Sequence, residues 1–368
     1  MPTDMTTLTE KQPPLLTTGR TLGRLAAIGL LILGVATAFL YLGGWLTPRA
    51  LTPARFVDAF ERADGVHSGF RRNHAKGVGV RGFFESNGQG MRLSKAAVFR
   101  PGRTPVIGRF SFGGGDPYVA DAPGAVRGLG VWFSLPDGEE WRTAMINLPV
   151  FPLQTPQAFY ESLVASAPDP RTHQPDPKNM EAFLARHPGT VRAFGIIKSH
   201  TVSSGFDNTT FNSLNAFRFV NAGGASIPVR WSFVPIQPQA MARPGGPIPG
   251  NRNYLFDALI ASIHQHPLQW RLIITVAQPG DVTNDASIPW PDGREQVNVG
   301  TLTLDSVESE AASPARDVNF DPLVLPAGIA PSDDPLLSAR SAVYSQSFTR
   351  RAGETKEASA ITPSEVRK

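Results

Sequence analysis

The sequence predicts an α+β protein: an antiparallel β-barrel or sandwich with peripheral helices, preceded by one transmembrane helix. Three observations predict this class. The stretch from Leu25 to Leu46 carries no charged residue. Several short runs rich in β-branched and aromatic residues follow it, bounded by glycine, proline or aspartate. The chain of 368 residues contains 35 glycines and 34 prolines, which favours many turns over a helical bundle.

The apolar stretch is long enough, at about 1.5 Å per residue, to span a hydrocarbon core of about 30 Å. Tyr41 and Trp45 lie near its far end, where interfacial aromatic residues are typical. A cleaved signal peptide is the alternative, but the run exceeds the usual signal core and its cleavage pattern is poor. We therefore expect an uncleaved single-pass anchor over residues 25–46 and a cytoplasmic tail over residues 1–24. The basic residues before the span place the remaining chain on the periplasmic side of the inner membrane.

Periodicity and turn residues predict the elements of the exported part. Strands are expected over Val78–Glu85, Leu93–Arg100, Pro105–Phe112, Gly128–Leu135, Thr209–Asn221, Ser226–Pro235, Gln269–Ala277 and Gly300–Leu304. Helices are expected over residues 54–64, Asn179–Arg186, Leu255–His264 and Ser338–Phe348. Residues 353–368 are polar and predict a disordered tail.

Composition excludes several classes of function. The formal net charge is +4, and no lysine or arginine run contains interleaved aromatic residues, so nucleic-acid binding is not expected. The chain has no cysteine, which excludes disulfides, cysteine metal sites and thiol catalysis. Of the 7 histidines, those other than His74 are scattered without the spacing of a metal site.

The most informative stretch contains Arg71, two further residues, and His74 in a glycine-rich turn before a strand pattern. In isolation it predicts only a loop histidine. Further along, the run Val106–Ser111 has an arginine and a serine on one predicted strand, and Arg127–Phe133 forms the next strand. Near the C-terminus, Arg340-Ser-Ala-Val-Tyr344 falls on a predicted helix.

Taken in this order, these segments resemble the haem catalase superfamily, and most of all its short branch, the catalase-related peroxidases. The resemblance covers residues 54–352, which it identifies as a catalase-like antiparallel β-barrel that binds haem. It implies iron protoporphyrin as the cofactor. The chain lacks the long N-terminal arm and the C-terminal domain of large catalases.

The resemblance assigns roles on the distal face of the haem. His74 would act as general base and then as general acid on a bound hydroperoxide. Ser111 would hold its imidazole. Arg71 and Arg109 would bind haem propionates, a task that suits the forked guanidinium group.

On the proximal face, the resemblance implies Tyr344 as the axial ligand of the iron. A ferric ion and a nearby guanidinium both favour the phenolate form of a tyrosine. Arg340 lies four residues before Tyr344 and can share its helix face. Arg350 and Arg351 both lie where a further propionate arginine belongs, and the spacing from Tyr344 favours Arg351.

One departure concerns the distal amide. Catalases carry an asparagine three residues before a proline, and the matching position here is Ile146, with Asn147 one residue late. Either Asn147 rotates into the pocket as a third catalytic residue, or the polar donor is missing. Asn73, beside the distal histidine, replaces a usually apolar residue.

The resemblance implies an antioxidant peroxidase that reduces organic hydroperoxides with a small electron donor and dismutates hydrogen peroxide weakly or not at all. Two alternatives stay open. One is a haem-binding or sensing module without turnover, and the other is an isomerase of fatty-acid hydroperoxides of the allene-oxide kind. The sequence leaves the donor, the physiological peroxide and the oligomeric state undetermined.

Overall fold

The structure, a computed structural model, describes residues 18–42, 46, 50–237 and 250–363. It divides into two units, residues 1–52 and residues 53–368. In the first unit, helix α1 (Thr18–Leu42) is long and apolar enough to cross a membrane, and a stretch of 18 residues within it has a mean hydropathy of 2.4. It begins before the predicted start at Leu25, and residues 43–45 of the predicted anchor lie outside the described residues. A membrane anchor and a signal sequence both fit such a helix.

A closed antiparallel barrel of eight strands forms the centre of the second unit. The strands follow one another around the barrel as β1 (Gly77–Ser86), β2 (Gly102–Phe112), β3 (Arg127–Ser134), β4 (Glu140–Ile146), β5 (Phe211–Asn212), β7 (Ser226–Pro235), β8 (Leu268–Val276) and β9 (Gln296–Glu308). β9 pairs with β1 and closes the ring. Two short strands, β6 (Phe217–Val220) and β10 (Ile329–Pro331), extend the sheet from β7. The predicted antiparallel barrel is confirmed, and the sandwich is excluded.

Large aromatic side chains fill the barrel core. Trp141, Trp231 and Trp270 are at most 1% exposed. Two of these indoles donate a hydrogen bond: Trp231 Nε1 to Thr143 Oγ1 (3.0 Å) and Trp270 Nε1 to the Thr209 carbonyl (3.0 Å). Trp141 Nε1 has no partner among the described residues. The alternating burial along β8 reflects the period of two that a strand imposes.

Six helices of the described residues surround the barrel: α2 (Pro53–Asp64), α3 (Pro156–Ser166), α4 (Pro177–Arg186), α5 (Pro188–Ser199), α6 (Tyr254–Gln265) and α7 (Pro335–Ala352). Thr155, Asp176 and Asp334 cap α3, α4 and α7, each followed by proline at the first helical position. Phe56 of α2 packs edge-on against Phe159 of α3, with ring centroids 5.4 Å apart. The hydrophobic stripe predicted for residues 54–64 therefore faces the domain.

The predicted strand at Leu93–Arg100 is wrong. Residues 89–92 and 97–99 form short 3₁₀ turns instead. Leu93, Val98 and Phe99 are nevertheless buried, and Ser94 Oγ donates to the Gly328 carbonyl (2.8 Å). Strand β4 and helices α3 and α5 were not predicted, and β9 extends well beyond the predicted Gly300–Leu304.

The predicted disorder of residues 353–368 is contradicted for the part that the structure describes. Residues 353–363 pack on the domain: Ile361 is 2% exposed, and Asn253 Nδ2 donates to the Ala360 carbonyl (2.8 Å). A polar sequence is held here by hydrogen bonds and ion pairs to residues distant in the chain, which composition does not predict. Residues 364–368 lie outside the described residues.

Candidate active site

A cavity of about 180 Å³ lies where the turn around His74, strands β2 to β4 and helices α2, α3 and α7 meet. Seven of the eight predicted site residues line it, namely Arg71, His74, Arg109, Ser111, Arg340, Tyr344 and Arg351. The structure therefore brings residues from three separate sequence regions to one place.

His74 sits in a backbone conformation that L residues rarely adopt, with φ at 59°. The Asn73 side chain stabilises this turn, because its Oδ1 accepts from the backbone N–H of His74 (2.9 Å) and of Gly114 (2.8 Å). On the ring side, His74 Nδ1 lies 3.1 Å from Ser111 Oγ. Gly128 makes room for the pair, since a Cβ there would lie 2.9 Å from Ser111 Oγ and 3.0 Å from the imidazole. The predicted contact between His74 and Ser111 is present.

The surroundings keep His74 neutral. Burial and, after it, the positive charges of Arg109, Arg340 and Arg71 together lower its pKa to about 3. A neutral imidazole whose Nδ1–H donates to a serine hydroxyl leaves Nε2 free to accept a proton. The site can therefore present a general base at neutral pH.

Three arginines of the cavity donate mostly to backbone carbonyls. Arg71 donates to the carbonyls of Ala315 (2.8 Å) and Val318 (2.7 Å). Arg109 donates to the carbonyls of His74 and Ala75, both at 2.8 Å, and also pairs with Glu310. Arg351, of which 4% is exposed, donates to the Arg316 carbonyl.

This arrangement leaves an excess of buried positive charge. Burial and then Arg109 lower the pKa of Arg71 well below its usual range, and the same two causes lower the pKa of Arg351 to about 10. Among the described residues, Glu310 is the one carboxylate that pairs with these three guanidinium groups. Clustered arginines of this kind call for anionic partners. The donor set therefore fits a large cofactor with two carboxylates, as haem has.

On the other side of the cavity, α7 presents Arg340 and Tyr344. Arg340 Nη1 donates to Asn215 Oδ1, and Asn215 Nδ2 donates to Asp334 Oδ2 (2.7 Å). Asp334 also caps α7, since its Oδ1 accepts from the Leu336 N–H (2.9 Å). Tyr344 packs against the buried cluster of Ala315, Val318 and Phe320. Arg340 is thus oriented by a chain of side chains anchored at the helix start.

Sequence reasoning missed Asn215 and Asp334 as parts of this site. The cap signal Ser-Asp-Asp-Pro before α7 is visible in the sequence and identifies Asp334 as a helix start. No local pattern links Asn215 to Arg340, because the two residues are 125 positions apart.

The position predicted for Asn147 is not supported. Asn147 lines a different cavity, and its side-chain Oδ1 accepts from the backbone N–H of Arg127 (2.9 Å). Its own N–H donates to the Arg127 carbonyl (3.0 Å), which extends the β3–β4 pairing by one step. Because adjacent residues of a strand point to opposite faces, Ile146 faces the His74 cavity instead. Of the two alternatives for the distal donor, this geometry favours its absence.

Comparison with known proteins agrees with this arrangement. The family model for catalase matches residues 47–362. A catalase-related peroxidase of Synechococcus elongatus is 36% identical over 301 residues, covering 82% of this chain and 89% of the relative. A catalase-related peroxidase of Mycolicibacterium paratuberculosis is 31% identical over 311 residues, covering 84% of this chain and 98% of the relative.

Solved structures share the fold. Catalase A from Saccharomyces cerevisiae superposes with a TM-score of 0.69 at 22% identity, covering 78% of this chain and 62% of that chain. The family model covers most of the chain, and both catalase-related peroxidases align over nearly their whole length. The chain therefore belongs to the catalase family, in its catalase-related peroxidase branch, and haem iron is the cofactor that this family implies.

Proposed function

We propose that this protein reduces organic hydroperoxides to alcohols with electrons from a small donor, and that it dismutates hydrogen peroxide weakly or not at all. The family supports haem-dependent peroxidase chemistry. The observation that carries the finer proposal is Ile146, an apolar side chain on the cavity wall where the family pattern has a polar amide.

The residues of the cavity would hold haem from two directions. Arg71, Arg109 and Arg351 would bind its two carboxylates, and the excess of guanidinium over carboxylate supports this assignment. Tyr344 would be the axial ligand, with Arg340 stabilising the phenolate. Bound haem supplies the iron at which the O–O bond of the peroxide is cleaved.

His74 would move the proton. As a neutral base it would accept the proton of the hydroperoxide and return it to the oxygen that leaves. Its low pKa favours rapid return of that proton, and Ser111 Oγ at 3.1 Å fixes the ring. The overall reaction consumes two electrons and two protons and releases an alcohol and water.

The apolar wall favours bulky substrates. A hydrogen peroxide molecule is positioned by hydrogen bonds alone, whereas an organic hydroperoxide also gains apolar contacts. Ile146 and Phe151 line the cavity and pack against the buried cluster of Leu214, Ala286 and Leu336. We therefore expect organic hydroperoxides to be the better substrates.

The test combines spectroscopy with turnover. Purified full-length protein should show a haem absorbance band and should oxidise a phenolic donor faster with cumene hydroperoxide than with hydrogen peroxide. A haem band without turnover would support the sensing alternative and refute the proposal. Rearranged products from a fatty-acid hydroperoxide, formed without consumption of the donor, would support the isomerase alternative instead.

We also propose that α1 anchors the protein in the inner membrane with the second unit on the periplasmic side. The length and hydropathy of α1 support the anchor. Full-length protein should sediment with membranes, and a mature N-terminus beyond Leu42 would show that the helix is a cleaved signal.

A further inference from the structure

Residues 353–361, here called the C-terminal strap, follow α7 and cross the turn that precedes His74. Ser68 Oγ donates to the Thr355 carbonyl (2.7 Å), and the backbone N–H of Gly69 donates to Glu354 Oε2 (2.9 Å). The approach is close, since a Cβ on Gly69 would lie 2.7 Å from a strap Cα. The strap is thus fitted to this turn.

Within the turn, Arg72 is 4% exposed and is held mainly by side chains from two other elements. Glu354 of the strap accepts from both Nη1 (3.0 Å) and Nη2 of Arg72. Glu61 of α2 accepts from Nε (2.7 Å). A buried guanidinium with forked donors fixes its partners in direction as well as distance. Arg72 is therefore a rigid link between the strap, α2 and the residues just before His74.

The strap also holds the segment to which Arg71 donates. Arg316 Nη2 donates to the Glu357 carbonyl (2.8 Å), and Lys356 Nζ pairs with Asp317 Oδ2 (2.6 Å). Arg71 donates to the carbonyls of Ala315 and Val318, which flank residues 316 and 317 in the chain. The strap therefore ties together the two segments between which the Arg71 guanidinium lies.

His74 needs such support. A left-handed backbone at a residue other than glycine persists only where the surrounding contacts over-determine it. Asn73 and Arg109 hold the turn from the His74 side, and Arg72 holds it from the preceding side.

We propose that Glu354 is a positioning residue for the hydroperoxide reaction: through Arg72 it fixes the turn that presents Arg71 and His74 to the cavity. The inference rests on the proposed function for its catalytic consequence, but the link between the strap and the turn stands on the contacts alone. Neither the polar composition of the strap nor the motif around His74 predicts it.

The experiment compares Glu354→Gln with Glu357→Gln in the full-length chain. Glu357 lies on the same strap, and its carboxylate accepts one hydrogen bond among the described residues, from the exposed Tyr118 hydroxyl (3.3 Å). Amide hydrogen exchange is measured over residues 69–75 with and without haem. Turnover is measured with cumene hydroperoxide and a phenolic donor. Glu354→Asp, which keeps the carboxylate, serves as the conservative rescue.

For Glu354→Gln we expect exchange over residues 69–75 to rise about tenfold and kcat/KM to fall about tenfold, because a small misplacement of reacting groups is amplified in rate. Glu357→Gln should match wild type in exchange and in kcat/KM. Glu354→Asp should come close to wild type in these two measurements. Unchanged exchange in Glu354→Gln, an equal effect of Glu357→Gln, or faster exchange with unchanged kcat/KM would each overturn the inference. If wild type itself reduces no hydroperoxide, the proposed function fails, and the exchange comparison still decides whether Glu354 fixes the turn.

Discussion

The two faces of the cavity are built in different ways. The proximal face comes from one helix, α7, on which Arg340 and Tyr344 are one turn apart. The distal face is assembled from a left-handed turn at His74, strand β2 with Ser111, and the end of β4 with Ile146. A helix fixes relative positions through its own geometry, whereas the distal face depends on contacts between segments. We expect changes at His74 on the distal face to alter chemistry, and changes at Tyr344 on the proximal face to alter cofactor retention.

The sharpest test of this difference is His74→Ala. Because it removes the proton carrier but no predicted haem contact, kcat/KM with cumene hydroperoxide should fall by about a thousandfold, within the range for general acid–base catalysis. Haem content, read from the absorbance spectrum, should stay near that of wild type. His67→Ala changes a histidine outside the cavity and serves as the control. Equal turnover in the two variants would remove His74 from the mechanism.

Tyr344→Phe should show the opposite pattern. Loss of the axial oxygen should weaken haem affinity on the order of a hundredfold or more, since even partners of metal ligands contribute 10- to 100-fold. Haem titration into the haem-free protein measures this directly. Tyr160→Phe, on α3 and outside the residues that line the cavity, is the matched control. Unchanged affinity in Tyr344→Phe would show that the axial assignment is wrong.

The chain from Asp334 through Asn215 to Arg340 allows a finer test on the proximal face. Asn215→Ala removes the acceptor of Arg340, and we expect about a tenfold loss in haem affinity or turnover. The absorbance band should also shift, because the guanidinium near the axial ligand is no longer oriented. Asn221→Ala, in the turn between β6 and β7, should leave both unchanged. A spectrum identical to wild type would mean that Arg340 is oriented without Asn215.

On the distal face, Ile146→Asn restores an amide to the cavity wall. A side-chain amide bonded to a buried partner contributes about 1–3 kcal/mol, so the ratio of hydrogen peroxide turnover to organic hydroperoxide turnover should rise about tenfold. Asn147→Ala should leave this ratio unchanged and lower the free energy of unfolding by about 1 kcal/mol, because it loses the bond to the Arg127 N–H. If Asn147→Ala instead abolishes both activities and Ile146→Asn changes neither, Asn147 fills the distal position.

The smallest expected effect concerns pH in the haem-free protein. The pKa of His74 is about 3 in the folded chain and near its ordinary value of 6.5 in the unfolded chain. The unfolded chain therefore binds more protons than the folded chain between these two pH values. The contribution of neutral His74 to the free energy of unfolding is complete above pH 6.5 and is lost as the pH falls toward 3. In urea titrations at several pH values, the free energy of unfolding should decline less with falling pH in His74→Gln than in wild type. An identical decline would mean that His74 is not held neutral.

Much of the proximal face followed from sequence because its information is local. Arg340 and Tyr344 are four residues apart on a helix whose start is marked by Asp334 and Pro335. The turn at His74 was likewise recognisable, since Arg71, His74 and the following glycine lie in one short motif. Short strands bounded by turn residues predicted an antiparallel barrel or sandwich, and the family resemblance favoured the barrel. Leu93–Arg100 shows that a buried apolar run need not be a strand.

The sequence by itself determined the barrel class, the apolar helix α1, and the identity of the histidine, tyrosine and arginines that meet in the cavity. The tertiary structure decided that Ile146 faces the His74 cavity and Asn147 does not, because the register of β3 and β4 sets the face of the sheet on which each side chain lies. It also decided that Asn215 reaches Arg340 and that Glu354 holds Arg72, since those contacts join segments 125 and 282 residues apart. Local spacing constrains neighbours on one element, whereas such long-range polar contacts exist only once the chain has folded.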